Sequence, residues 1–476
     1  MKKRLFPMML VLALVFAAAL PQVALAGAYG TTFTTSITYQ NVGSTATTDL
    51  SILFFSSPDD TTPTEIARPN LEPMASTSLF IGSLTEIGAG FQGSAVMVSD
   101  QPMLATMVQV PQDPTGAVRN RPLSNGFSAG SGQVLIATVL KNTFDQTTRF
   151  AVQNAGGAST EVTITFFNTS AAEVHSMSET IEPQAALHVD AGQISQLGAS
   201  FNGSAVIEAA AGGEIVASAM ELNVSGNGAS AFEGVSNGAT TYYMPSALCQ
   251  AFGGQNTSYA IQNTSLSTQT SVTVTYYDLS GNEVASDTKN IGPGAKQSFV
   301  ACDASGMVSN FNGSAVVEST ATEVVAIGKA FGLGLSTAFI GAPGGQASLA
   351  LPYVRWATDA NWLASNDRGQ RTFLAIQNIG SNTIPANQIT IDYIGPNGAV
   401  LGSHTYDEAL GPGIKFNSNP TNGGLTEFGY AGGSFGGGAV VRGPAGAELA
   451  VIARVASRIP STGGQVSEDY NGMPLP

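Results

Sequence analysis

The chain has 476 residues, a formal net charge of −15, 11% charged and 43% hydrophobic residues, and 55 glycines. That acidity argues against a nucleic-acid partner, whose phosphates are held by lysine and arginine with release of counterions. The apolar share is enough to build cores, and the low charge with abundant Gly, Thr, Ser and Asn fits neither a disordered chain nor a helical one.

In chain order, the first 26 residues read as a secretory leader. Lys2, Lys3 and Arg4 precede the apolar stretch Met8–Leu20, and "ALA" (Ala24–Ala26) fits the small-x-small cleavage rule. Cleavage between Ala26 and Gly27 leaves 450 residues, and loss of the three basic residues takes the net charge from −15 to −18. The apolar stretch is short for a membrane span, so the mature protein is expected to be exported, with no membrane insertion.

The rest of the chain repeats four times. A Gln-Asn phrase ends at Asn41, Asn154, Asn263 and Asn378, at spacings of 113, 109 and 115 residues. An apolar residue two before a proline follows, as Leu71–Pro73, Ile181–Pro183, Ile291–Pro293 and Leu410–Pro412. The third marker is "FQGSAV" at Phe91, "FNGSAV" at Phe201 and Phe311, and "FGGGAV" at Phe435. A fixed period with ordered markers is the signature of a tandem-repeat architecture. The units are placed at residues 27–131, 132–239, 240–346 and 347–476.

Within each unit the pattern reads as successive strands. Val162, Ile164, Val272 and Val274 alternate with Thr163, Thr165, Thr273 and Thr275, the period-2 pattern of a half-buried strand. Turn sequences such as "DLSGNEV" close hairpins. A further strand follows each third marker ("EIVASAMEL", "EVVAIGKAF"), and "VLIATVL", "TYYMPSAL" and "SLALPYV" precede the Gln-Asn phrase in units two to four. Single helical turns are expected near residues 83–88 and 423–429. The sum is roughly seven strands in about 110 residues, an antiparallel sandwich large enough for its own core. In "FNGSAV" the Phe, a Gly and the Ala-Val pair persist while polar positions vary, which reads as a structural corner and not an active site.

Unit four inserts Arg355–Gln370 between its first two strands, with both tryptophans of the chain, Trp356 and Trp362. Exposed, these rings with Asp359, Asn361, Asn366 and Asp367 would suit a sugar or protein ligand; the alternative is that they pack as a stiffening wedge. Unit one has only "GAYGTT" where its siblings have a first strand, and the tail "NGMPLP" resembles "NGATTYYMPSA" (Asn237–Ala247), where the next unit's first strand begins. The expectation is an open edge on unit one, and head-to-tail association in which one chain's tail completes the next. A trimmed terminal repeat and a loose tail is the alternative.

Cys249 and Cys302 stand 53 residues apart in an exported chain, which reads as a disulfide, two buried thiols being the alternative. His175, His188 and His404 are scattered, without metal-ligand spacing. Gly432–Gly436 matches G-x-S-x-G and Gly88–Gly93 matches G-x-G-x-x-G, both outside the strand-turn-helix context those motifs need. Asp59, Asp60, Asp278 and Glu283 are the only residues singled out for calcium, and no EF-hand loop frames them. Sequons at Asn168, Asn202, Asn223, Asn256, Asn263 and Asn312 read as unmodified turn and corner positions beside a bacterial-type leader. No cofactor and no catalytic residue is expected.

The pattern QN-x-G…V-T-V-T-Y-Y-D-x-x-G…I-x-P-G…F-N-G-S-A-V resembles tandem immunoglobulin-like repeats of secreted bacterial surface proteins, similar to CARDB-like and fibronectin-III-like modules. Unit four departs most, with Gly437–Gly438 in place of Gly-Ser. The resemblance implies an all-β chain of four tandem sandwich domains in an elongated rod. It implies a non-enzymatic structural or adhesion role at the cell surface, with other surface proteins, the chain itself or extracellular glycans as partners. The rival expectation is carbohydrate binding by the Trp356/Trp362 loop.

Overall fold

The computed structural model describes residues 27–113, 115–363, 369–430, 436–459 and 464–475. The leader with Ala26, the loop residues Asn366 and Asp367, and most of the G-x-S-x-G match lie outside the described residues.

Copy one supplies β1 (Phe33–Asn41), β2 (Leu50–Phe55), β3 (Thr64–Ala67), β4 (Ser76–Phe80), β5 (Ser94–Ser99), β6 (Met103–Pro111) and β7 (Leu123–Asn125). Copy two supplies β8 (Gln133–Lys141), β9 (Gln146–Asn154), β10 (Thr160–Asn168), β11 (Glu173–Ile181), β12 (Ala186–Asp190), β13 (Phe201–Ala209), β14 (Ile215–Asn223) and β15 (Ala229–Glu233). Copy three supplies β16 (Thr241–Cys249), β17 (Asn256–Asn263), β18 (Thr270–Tyr277), β19 (Glu283–Ile291), β20 (Lys296–Val300), β21 (Phe311–Ser319), β22 (Val324–Gly332) and β23 (Leu335–Ile340). Copy four supplies β24 (Ser348–Leu351), the helical turn α1 (Asp359–Leu363), β25 (Gln370–Asn378), β26 (Ile389–Ile394), β27 (Val400–Tyr406), β28 (Lys415–Ser418), β29 (Gly438–Arg442), β30 (Leu449–Arg458), β31 (Gln465–Asn471) and β32 (Met473–Pro474).

These strands form eight small antiparallel sheets, two per copy. In copy two the orders are β11-β10-β13-β8 and β12-β9-β14-β15, and copy three repeats them. Copy four adds β32 outside β24, and copy one has only β3-β2-β5 in its first sheet. The alternation in β10 explains the layering. Val162, Ile164 and Phe166 are buried, each worth about 1.5–3 kcal/mol in area removed from water. Thr163 and Thr165 face outward, where their hydroxyls meet those of Ser178 and Ser176 on β11 at 2.9 and 3.2 Å.

The third marker proves to be the start of a strand. Phe201 and Phe311 open β13 and β21 and pair with Lys141 of β8 and Cys249 of β16, the first strands of their copies, with a register shift after Gly203 in β13. Gly203 and Gly313 are required by close approach, because a Cβ there would collide with the Phe167 or Tyr277 carbonyl oxygen. In copy one, among the described residues, no counterpart of β8 or β16 stands beside the phrase, and β5 begins only at Ser94. Helical turns occur at Ile81–Ser83, Ala191–Gln193, Ser195–Leu197 and Ala301–Asp303, just after β4, β12 and β20.

The elongated rod is overturned. One late strand of each copy, β7, β15, β23 and β31, contacts its neighbours in a closed circuit in which β31 meets β7. Asn125, Glu233, Ile340 and Asn471 hold equivalent places there. The Asn125 N–H donates to the Glu233 carboxylate, and its side-chain amide donates to the Asn471 carbonyl at 2.9 Å. Asn471 in turn exchanges bonds of 2.7 and 2.9 Å with the Ile340 backbone. Val108 and Leu123 of copy one enter the core of copy four. Successive copies meet through equivalent strands with a rotation that closes, which makes a ring where a non-closing rotation would make a filament.

The tail is also placed differently from the expectation. Gly472 N donates to Val451 O as Gly126 does to Ala105, Gly234 to Ala217 and Gly341 to Ala326. "NGMPLP" therefore aligns with Glu233-Gly234-Val235, four residues before Asn237. Met473 and Pro474 pair with Ala350 and Leu349 of their own copy.

Candidate functional site

All three sequence markers converge on the junctions between copies. The residue after the proline of the second marker is left-handed in every copy: Met74 (φ 61), Gln184 (φ 66), Gly294 (φ 66) and Gly413 (φ 75). That conformation is uncommon outside glycine, and here it turns one carbonyl toward two donors. Gln40, Gln153, Gln262 and Gln377 of the first marker each donate to this carbonyl within their own copy, at 2.9–3.1 Å. The serine of the third marker reaches it from the preceding copy: Ser94 to Gln184 O at 2.7 Å, Ser204 to Gly294 O at 2.8 Å and Ser314 to Gly413 O at 2.9 Å. Copy four has Gly438 at the serine position, so the closing junction lacks this clasp.

The asparagine of the first marker ties each copy internally. Asn154 donates to Ala158 O and Ile181 O and accepts from Gly156 N, all at 2.8–2.9 Å. Asn41, Asn263 and Asn378 donate likewise to Leu71 O, Ile291 O and Leu410 O, the apolar residue of the second marker. Asn263 is thereby a buried staple, not a modification site.

The junctions also bury charge. Lys329 of copy three places Nζ 2.7 Å from both oxygens of Glu221 in copy two and 3.1 Å from the Thr138 hydroxyl. Burial pushes the neighbouring Lys296 down to about 7. At the next junction, burial and then Arg454 push Lys415 down to about 7, and its Nζ donates to Asn312 Oδ1 at 3.2 Å. At the closing junction, Glu468 accepts from the Arg121 N–H and burial raises it to about 8. Burial likewise raises Glu233. Such groups keep their place only with partners supplied across the junction.

Of the expected loop cluster, Trp356, Asp359, Asn361 and Trp362 lie among the described residues. Trp356 is buried, bridges Arg371 and Phe428 through its backbone, and meets Phe373 edge-on at 5.5 Å. Trp362 is half-buried. The Arg371 guanidinium lies 4.7 Å from the Trp356 ring and 5.0 Å from the Trp362 ring, and also pairs with Asp359 at 2.5 Å. The two rings therefore hold an internal cation. The Asn361 N–H donates to the Thr358 hydroxyl at 3.1 Å and its side-chain amide to the Glu427 carboxylate at 3.5 Å, while Leu363 points outward at 64% exposure.

Cys249 and Cys302 are joined at 2.06 Å, with Cα atoms 5.0 Å apart, tying the end of β16 to the turn after β20. His175, His188 and His404 fall on β11, β12 and β27. Among the described residues no three His, Cys, Asp or Glu gather as metal ligands. The Ser56 and Thr62 N–H groups hold the Asp60 carboxyl below its usual range, and the Asn282 side-chain amide, with the Asn282 and Ser280 N–H groups, does the same for Asp278. No protein-family model and no curated protein matches the chain.

Sequence reasoning missed the central strands and the serine clasp. A signal was present: Asn125-Gly126, Glu233-Gly234, Ile340-Gly341 and Asn471-Gly472 form a fourth marker, with the glycine where the chain leaves the central strand.

Proposed function

We propose that the mature chain is a non-enzymatic, exported structural or adhesion protein of the bacterial cell surface, built from four immunoglobulin-like sandwich domains. Its partners are other surface proteins or extracellular glycans. One observation carries the reading: the recurring polar residues Gln, Asn and Ser are all spent on holding strands and copies together. Recurrence maintained by such contacts is the mark of a scaffold. Head-to-tail growth through residues 470–476 is the weaker form of this reading, since β32 would first have to leave β24. Glycan recognition by the copy-four loop is a second form, favoured by half-buried Trp362 beside Asn361.

The test compares producing cells with cells lacking the gene for attachment to one another and to a solid surface. Loss of attachment, restored by the wild-type chain, supports the proposal. Unchanged attachment and envelope integrity, with loss of turnover of a small molecule, would replace it with an enzymatic role. Trp362→Ala separates the glycan form, which requires this variant to lose retention on a glycan array.

A further inference from the structure

In copies two to four one strand stands between two partners. β8 pairs with β13 on one side, and Leu135 bridges Val235 on the other. β16 pairs with β21 while Tyr243 bridges Ala342, and β24 pairs with β29 and β32. Copy one has both partners and, among the described residues, no strand between them. β5 pairs with β2 and, among the described residues, with no other strand. Phe127 holds the place of Val235, Ala342 and Met473, and is 38% exposed.

The core beneath this place is uncovered. Ala95 and Met97 face the interior of copy one and are only partly buried. Their counterparts Ala205 and Ile207, and Ala315 and Val317, are fully buried. The edge carries none of the usual guards: Ser94–Ser99 reads SAVMVS, with no charge and no proline. Ala28 and Tyr29, ahead of β1, turn elsewhere: the Ala28 N–H donates to Gly226 O and the Tyr29 hydroxyl to Asp190, both on copy two.

We infer that this place is an acceptor for an extended segment of another polypeptide, which adds antiparallel to β5 and completes the sandwich of copy one. The chain shows the required chemistry three times, in "VLIATVL", "YYMPSAL" and "SLALPYV", all uncharged and mainly apolar. The neighbourhood favours a lone segment over a second copy of the chain. In the sibling copies this strand lies against the following copy, β8 against β17 and β22, and β16 against β25 and β30. Leu53 and Val96 already pack on copy two. An incoming strand is therefore enclosed from the far side, where a second ring would bring a whole sheet behind its own strand. Main-chain bonds supply affinity in this mode, and alternate side chains supply selectivity. The inference names a partner class for the scaffold reading and rests on it only for biological purpose, because strand binding is measured without reference to attachment.

The experiment uses the chain from Gly27 to Pro476 and a synthetic peptide with the β8 sequence, QVLIATVLK. Hydrogen exchange is followed at β5 and at β13. In the chain alone, β5 amides exchange at least tenfold faster than those of β13. Saturating peptide slows β5 at least tenfold and leaves β13 unchanged, while a peptide with lysines at its second, fourth and sixth positions has no effect. Since the change is made in the peptide, folding of the chain is not in question. Equal protection of β5 and β13 in the dilute chain would overturn the inference, as would absence of protection by the peptide. Protection that instead rises with chain concentration would assign the place to a second copy and also overturn it.

Discussion

Replacing Lys329 by methionine removes the cation of the junction between copies two and three while keeping most of its volume. Glu221 is fully buried, its carboxylate sits 2.7 Å from Nζ, and only the Thr138 hydroxyl, at 2.9 Å, would remain to it. At an effective dielectric of about 20, unit charges at that distance attract by roughly 6 kcal/mol, against a desolvation cost of several kcal/mol per ion. The pair in place is therefore near balance, but removing one partner leaves a buried charge, at a cost of about 3–5 kcal/mol. Native-state hydrogen exchange at β22 should report this as opening roughly 160- to 5,000-fold more frequent. The double variant Glu221→Gln/Lys329→Met removes both charges and should recover most of the loss. A single variant costing under about 1 kcal/mol would mean that the junction is open to water, refuting its description as a packed interface.

Three further outcomes are expected. Glu468 is raised to about 8 in the fold, so the folded chain holds a proton that the unfolded chain releases near 4.5; its contribution is complete below the unfolded value and is lost as pH rises through 8. Glu468→Gln keeps an acceptor for the Arg121 N–H and should remove that part of the pH dependence, measured as the difference between the two chains' melting profiles from pH 5 to 9. Asn154→Ala deletes one buried and two part-buried bonds and strands the Ile181 and Ala158 carbonyls, lowering stability by about 2–4 kcal/mol; a melting temperature within 1–2 °C of wild type would contradict the staple. Cys302→Ser opens a loop of 53 residues, and the chain-entropy relation assigns about 4 kcal/mol to that cross-link; exchange in β16 and β20 should quicken, with β10 unaffected.

Much of the fold was legible because it is local. Alternation exposed β10 and β18, turn chemistry exposed the hairpins, and the missing first strand of copy one followed from comparing copies. The central strands were illegible for a physical reason. In β7, β15 and β31 nearly every residue is buried, because the sheet covers one face and the neighbouring copy covers the other. Period-2 patterning vanishes when both faces are covered, and Ser124, Asn125, Ser467, Glu468 and Asp469 then read as loop. Closure into a ring was illegible too, since it depends on the angle at each junction and not on any strand. For the tryptophan loop the sequence left an exposed and a packed reading side by side, because the partner that meets both rings, Arg371, lies on the adjoining strand and not in the insertion's own pattern.

Small-angle scattering of the chain from Gly27 to Pro476 tests ring closure most directly. A compact body of 450 residues has a radius of gyration of about 22 Å, and the closed ring should fall below about 26 Å. Four sandwiches end to end, each about 30 Å along its nine-residue strands, would span roughly 120 Å with a radius of gyration of about 35 Å. A value near 35 Å, with the distance distribution of a rod, would contradict the contact between β31 and β7 and the account built on it.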